Sequence, residues 1–119
     1  MSTLKADTIQ NTSGGPATFT QQSAARVFIA ADGSASLHKS LNVSSGVDEG
    51  TGDYKYNLTN ALDSTTMENA VTATCLGYQD IVRVKSAEAS ASVLDVEVIN
   101  TSAGQHDAGQ GIAIHGDLA

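Results

Sequence analysis

Leu41-Asn42-Val43-Ser44-Ser45-Gly46-Val47-Asp48, then Glu49-Gly50-Thr51-Gly52, then Asp53-Tyr54-Lys55-Tyr56-Asn57-Leu58-Thr59, reads as two strands joined by a glycine-bearing turn. On the return arm Tyr54, Tyr56 and Leu58 share one face, while Lys55 and Asn57 take the other. That period of two marks a strand with one face against a core. The same period recurs on both sides. Ala25 to Ala31 is an apolar strand ended by the turn dipeptide Asp32-Gly33, and Leu37, Lys39 and Leu41 continue as a second strand with Val43 in the same phase. Asn69 to Tyr78 places Val71, Ala73 and Cys75 opposite Thr72 and Thr74. Val82 and Val84 face inward from Ile81 to Lys85, and Ile112 and Ile114 mark the last strand. From Val93 to Ile99, Leu94, Val96 and Val98 form the core face; Asp95 and Glu97 form a solvated one.

Helical periodicity is nearly absent. Only Asn60 to Met67 admits a helical turn, with Asp63 or Ser64 as its N-cap. Short strands about ten residues apart, separated by Gly and Asp turns, predict an all-β fold. The pattern describes an antiparallel sandwich or barrel, and the expected form is a compact antiparallel β-sandwich, jelly-roll-like, spanning residues 23–119. Residues 1–22 are set apart from it. Leu4, Ala6 and Ile9 mark a short amphipathic strand, and Ser13-Gly14-Gly15-Pro16 then breaks the chain with turn formers. An isolated strand of that length leaves its backbone groups unpaired, so it is expected to join another sheet or copies of itself. Leu4, Ala6 and Ile9 are therefore the residues expected to make that pairing.

Of the 119 residues 40% are hydrophobic, but alanine supplies much of that, and there are two Phe, three Tyr and no Trp. Burial at about 25 cal/mol per Å² must offset roughly 1–2 kcal/mol of backbone entropy per residue, so self-association is the expected remedy for a thin core. The formal net charge is −7, and the six Lys and Arg are scattered singly. A chain of that charge with no basic patch repels a phosphate backbone, which excludes nucleic acid as a partner. No stretch approaches the roughly 20 apolar residues that span a bilayer, so no membrane insertion is expected. The N-terminus has no cationic segment followed by an apolar run, and a host-secreted precursor is not expected either. Cys75 is the single cysteine and reads as a small buried hydrophobe.

Four patches resemble a known family. Leu4-Lys5-Ala6-Asp7-Thr8-Ile9-Gln10-Asn11-Thr12-Ser13-Gly14-Gly15 differs only at Ala6 from the usual opening of small virion fibre and spike proteins of bacteriophages. These are cyanophage-like phages of marine and freshwater bacteria. Gln21-Gln22-Ser23-Ala24-Ala25-Arg26 resembles the family's link into its first globular strand, with Arg26 where Lys is commoner. Asp48-Glu49-Gly50-Thr51-Gly52-Asp53-Tyr54 is similar to its hairpin, with Glu49 in place of Asn. His115-Gly116-Asp117-Leu118-Ala119 is similar to its ending, with His115 in place of Phe. Between Asp63 and Asp107 the resemblance carries little. It implies a β-head on a thin N-terminal strand, assembled as a homotrimer, on the exterior of a phage particle, with Leu4, Ala6 and Ile9 as the attachment and trimerisation residues.

Catalytic and metal-binding patterns are weak. His38, His106 and His115 lack ligand spacing within one chain, although a threefold axis could gather three copies of His115. Asp48, Glu49 and Asp53 surround a glycine turn without the alternating carboxylates of a calcium loop. Asp95 and Glu97 imitate a glycosidase pair but come with no aromatic cleft. No glycine-flanked serine elbow or phosphate loop occurs. No enzyme and no cofactor is therefore expected. The leading reading is a structural virion protein, a homotrimeric fibre or spike of tail or head. Its N-terminal segment docks on other virion proteins, and its turn at Glu49, Gly50, Thr51 and Gly52 is a candidate host-contact surface. A capsid decoration protein is the second reading. A lectin-like module for host surface glycans is the third, with Tyr54, Tyr56 and Tyr78 as the available stacking residues.

Overall fold

The computed structural model describes residues 10, 12–15, 25–64, 70–85 and 89–115. Leu4, Ala6 and Ile9, with most of the 1–22 segment, lie outside the described residues. Eight strands follow in order: β1 (Ala25–Ala31), β2 (Leu37–Leu41), β3 (Val43–Gly50), β4 (Asp53–Leu58), β5 (Ala70–Leu76), β6 (Ile81–Val84), β7 (Val93–Ile99) and β8 (Gly109–His115). They form two four-stranded antiparallel sheets, ordered β2-β1-β8-β5 and β3-β4-β7-β6. The fold is all-β, as the alternation predicts, and the described residues contain no helix. The helical turn allowed at Asn60 to Met67 is not formed through Ser64, and residues 65–69 lie outside the described set. Leu62 is instead buried in an extended segment, its N–H donating to the Ala91 carbonyl at 2.9 Å.

The faces chosen by period-two alternation meet between the sheets. Val27, Ile29, Ala31, Ile112 and Ile114 pack from one side against Tyr54, Tyr56, Leu58, Leu94, Val96 and Val98 from the other. Val71, Ala73, Cys75, Val82 and Val84 are half-buried at the margins of this core. Among the described residues the core is thus built of β-branched residues, leucine and tyrosine, with only Ala31, Ala35 and Ala108 as its buried alanines. Most alanines among the described residues lie outside that core.

Two further expectations are corrected. Leu41 and Val43 do not belong to one hairpin arm. Asn42 adopts φ 59 between them, and its side chain holds both the N–H and the C=O of Asn60, at 2.7 and 3.0 Å. That kink sends Leu41 into the first sheet and Val43 into the second. Asp95 is not on a solvated face either: it is 1% exposed. The register sets Lys55 beside Asp95 and Arg83 beside Glu97, and Lys85 folds over the middle of this outer face. The Lys85 ammonium lies 2.7 Å from Asp53 and 3.6 Å from Asp95, Lys55 lies 2.6 Å from Glu49, and Arg83 lies 3.0 Å from Glu97. The aliphatic stems of the lysines exclude water while their heads stay in charge contact.

Two tyrosines tie the sheets together through polar groups. Tyr56 donates to the Gln110 side-chain oxygen, and the Gln110 amide donates in turn to the Ala108 carbonyl. The Tyr54 hydroxyl lies 2.9 Å from the Gly33 carbonyl and 3.2 Å from Asp107. Burial first, then the Asp107 charge, pushes the Tyr54 phenol up from the ordinary 10.0 to about 12. Burial raises Tyr56 as well. Folding therefore favours both neutral phenols. Their contribution is complete below about pH 10 and is lost as pH rises through about 12. We expect the urea midpoint to fall steeply across that window, and a Tyr54→Phe, Tyr56→Phe double variant to show a flatter fall. Identical pH profiles for parent and double variant would contradict this linkage.

Candidate functional site at the loop end

The strand directions gather four connections at one end of the sandwich: β1 to β2, β3 to β4, β5 to β6 and β7 to β8. Hydrogen bonds fix the first, second and last of them. In the first, the Asp32 carboxylate accepts from the Ser34 N–H and hydroxyl and from the Ser36 N–H, at 2.9, 2.7 and 3.0 Å. These bonds, that of the Ser34 hydroxyl foremost, hold the Asp32 carboxyl below its ordinary value. The left-handed position falls on Ala35, at φ 61, and not on Gly33. In the last, Asn100 organises the turn by accepting from the N–H groups of Ser102 and Gly104 at 2.9 and 3.0 Å.

The β3 to β4 turn lies beneath the β7 to β8 loop. The Gly52 N–H donates to Asp107 at 2.7 Å, and its carbonyl accepts from the Val98 N–H at 2.7 Å. A Cβ at Gly52 would stand 2.5 Å from the Val98 oxygen and 2.7 Å from the His106 nitrogen, with φ at +68. Of the expected contact residues, Glu49, Gly50 and Thr51 are exposed, while Gly52 is buried. The candidate contact turn is thus foundation at Gly52 and surface at the other three residues. The Asp48 carboxylate caps the Gly50 N–H at 3.1 Å, and Glu49 and Asp53 are committed to Lys55 and Lys85. Among the described residues no group of three or more His, Cys, Asp or Glu is arranged to hold a metal ion.

A constellation absent from the sequence reading stands on this foundation. His106 Nδ1 is hydrogen-bonded to Asp80, whose side chain is 9% exposed, and the His106 N–H donates to the Val98 carbonyl at 3.1 Å. The Tyr78 ring meets the imidazole edge to face, with centroids 5.0 Å apart and planes at 88°. Tyr78 itself is 61% exposed. Of the three tyrosines considered for stacking, Tyr54 and Tyr56 are fully buried, so only Tyr78 offers a face to solvent. Asp80 and His106 lie 26 positions apart, and no local pattern announces their meeting. His38 lies 3.7 Å from Asp32, and His115 is half-buried in β8 at the opposite end. No protein-family model, curated protein or solved structure matches this chain.

Proposed function

We propose that the chain is a structural virion protein of a bacteriophage, a homotrimeric fibre or spike that docks through residues 1–22 and presents its β-head outward. It lies on the exterior of the particle and works by binding and display, without catalysis or cofactor. The phage assignment comes from the sequence resemblance. One observation carries the display reading: the head is polar end to end. The chain enters β1 at Ala25, beside His115 of β8, and the four connecting loops crowd the far end. An N-terminal anchor therefore sets those loops at the distal tip.

Self-association is supported by the outer face of the first sheet. Leu41, Phe28, Ala113 and Thr72 lie in one row across it, and Lys39, Ala30, Gly111 and Thr74 in the next. Phe28, Leu41 and Leu76 are exposed there. None of the four strands of this sheet carries Asp or Glu, on a chain whose net charge is −7. An acid-free face carrying exposed apolar side chains is the one at which copies of an acidic protein repel each other least. The jelly-roll-like refinement has the least support, because the β1–β2, β3–β4 and β6–β7 hairpins each stay within one sheet. A capsid decoration protein, clamping capsid subunits by strand addition from the arm, is the runner-up.

Deleting residues 1–22 is expected to leave a folded head, by its β-type circular dichroism and cooperative melt, yet to prevent incorporation into particles. Sedimentation of the full chain at micromolar concentration should give three times the chain mass. Normal occupancy of particles by the truncated protein, or a folded species of single-chain mass, would contradict the reading.

A further inference from the structure

Tyr78, Asp80 and His106 are joined by a hydrogen bond and an edge-to-face ring contact. The Asp80 carboxylate accepts a hydrogen bond from His106 Nδ1, which leaves Nε2 as the ring's remaining polar atom. The backbone of His106 is fixed from below by Val98 and by the close approach of Gly52. Asn100 braces the loop that leads into it. A planar aromatic face therefore stands beside an oriented polar group, with little ordering left to occur on binding.

We propose that Tyr78, His106 and Asp80 form a subsite for a neutral hexopyranose of a cell-surface glycan. The glycan's bacterial source rests on the function proposed above; the sugar chemistry rests on these loops alone. A pyranose offers an apolar face of C–H groups to an aromatic ring and a rim of hydroxyls that both donate and accept, which is what Tyr78 and His106 Nε2 together require. Asp80 and the neighbouring Asp107, on a chain of net charge −7, disfavour anionic sugars and phosphates. Three copies on a trimer would convert weak single-site contacts into avid attachment to a repeating polysaccharide.

The purified full chain is titrated with methyl glycosides of glucose, galactose, mannose and N-acetylglucosamine, and with sialic acid and inorganic phosphate, while NMR follows Tyr78 and His106. At least one neutral glycoside should shift both residues with a Kd of roughly 1 mM. Tyr78→Ala should weaken it about tenfold with an unchanged melting temperature, and Tyr78→Phe should retain it. Silence at both residues with every neutral glycoside at about 100 mM, equal binding by Tyr78→Ala, or tighter binding of the anions would overturn the subsite. Localising the chain on purified particles keeps the two readings apart. Presence on particles without sugar binding overturns only the subsite; sugar binding by a chain absent from particles supports the subsite and removes the fibre.

Discussion

Val96→Asp is expected to yield no folded head. Val96 is fully buried between Leu94 and Val98 on β7, registered against Tyr54 of β4 on one side and Val84 of β6 on the other. A carboxylate there has no cation on its own face of the sheet, because Lys55, Arg83 and Lys85 are all engaged on the opposite one. Burying an unpaired charge costs several kcal/mol, a large part of the roughly 5–15 kcal/mol that stabilises an ordinary domain. The neighbouring Glu97→Ala is the control. Its partner Arg83 is 58% exposed, so the lost ion pair is largely screened and the variant should melt within a few degrees of the parent. Soluble expression and thermal melting of the pair decide the matter. Equal tolerance of the two substitutions would mean that β7 is not buried on one face.

Gly52→Ala should have the second largest effect, at about 3 kcal/mol or more. Its φ of +68 makes any Cβ unfavourable, and the two atoms that Cβ would strike belong to the backbone of Val98 and His106, which cannot rotate away. Either the β3 to β4 turn or the β7 to β8 loop must move. Thr51→Ala, one residue earlier and exposed, should stay within about 0.5 kcal/mol. Because the collision includes the His106 nitrogen, the Gly52 variant should also displace the Tyr78 and His106 signals in NMR spectra. A Gly52→Ala protein as stable as the parent, with those signals unmoved, would contradict the packing described here.

What could be read from the sequence was whatever depends on nearest neighbours along a strand. Tyr54, Tyr56 and Leu58 alternate with Lys55 and Asn57, and a single residue of slip would invert every one of them, so their faces follow from the pattern alone. Leu94, Val96 and Val98, and Ile112 and Ile114, obey the same rule. The misreadings arose where a second strand or loop decides. Asp95 has the phase of a wet residue, but adjacent strands bring Lys55 and Lys85 over it. Asn42 looks like an ordinary polar position within a strand. Its left-handed turn is imposed by Asn60, 18 residues away. Gly52 reads as a solvent tip because nothing nearby in the chain reveals the β7 to β8 loop above it. The Tyr78, Asp80 and His106 contact brings together the β5 to β6 and β7 to β8 loops, which lie on either side of β6 and β7 in the chain but at one end of the sandwich, and periodicity holds no information about that.

Display of the head at the distal end of an N-terminal anchor on a phage particle is the core of the proposed function. Imaging of intact particles, with this chain located and traced in the density, tests it most directly. Threefold clusters of the chain on the particle exterior are expected, with Ala25 and His115 facing the particle and the loops bearing Thr51, Tyr78 and His106 pointing away from it. Absence of the chain from purified particles, or density in which those loops are buried against the particle while Ala25 faces outward, would contradict it.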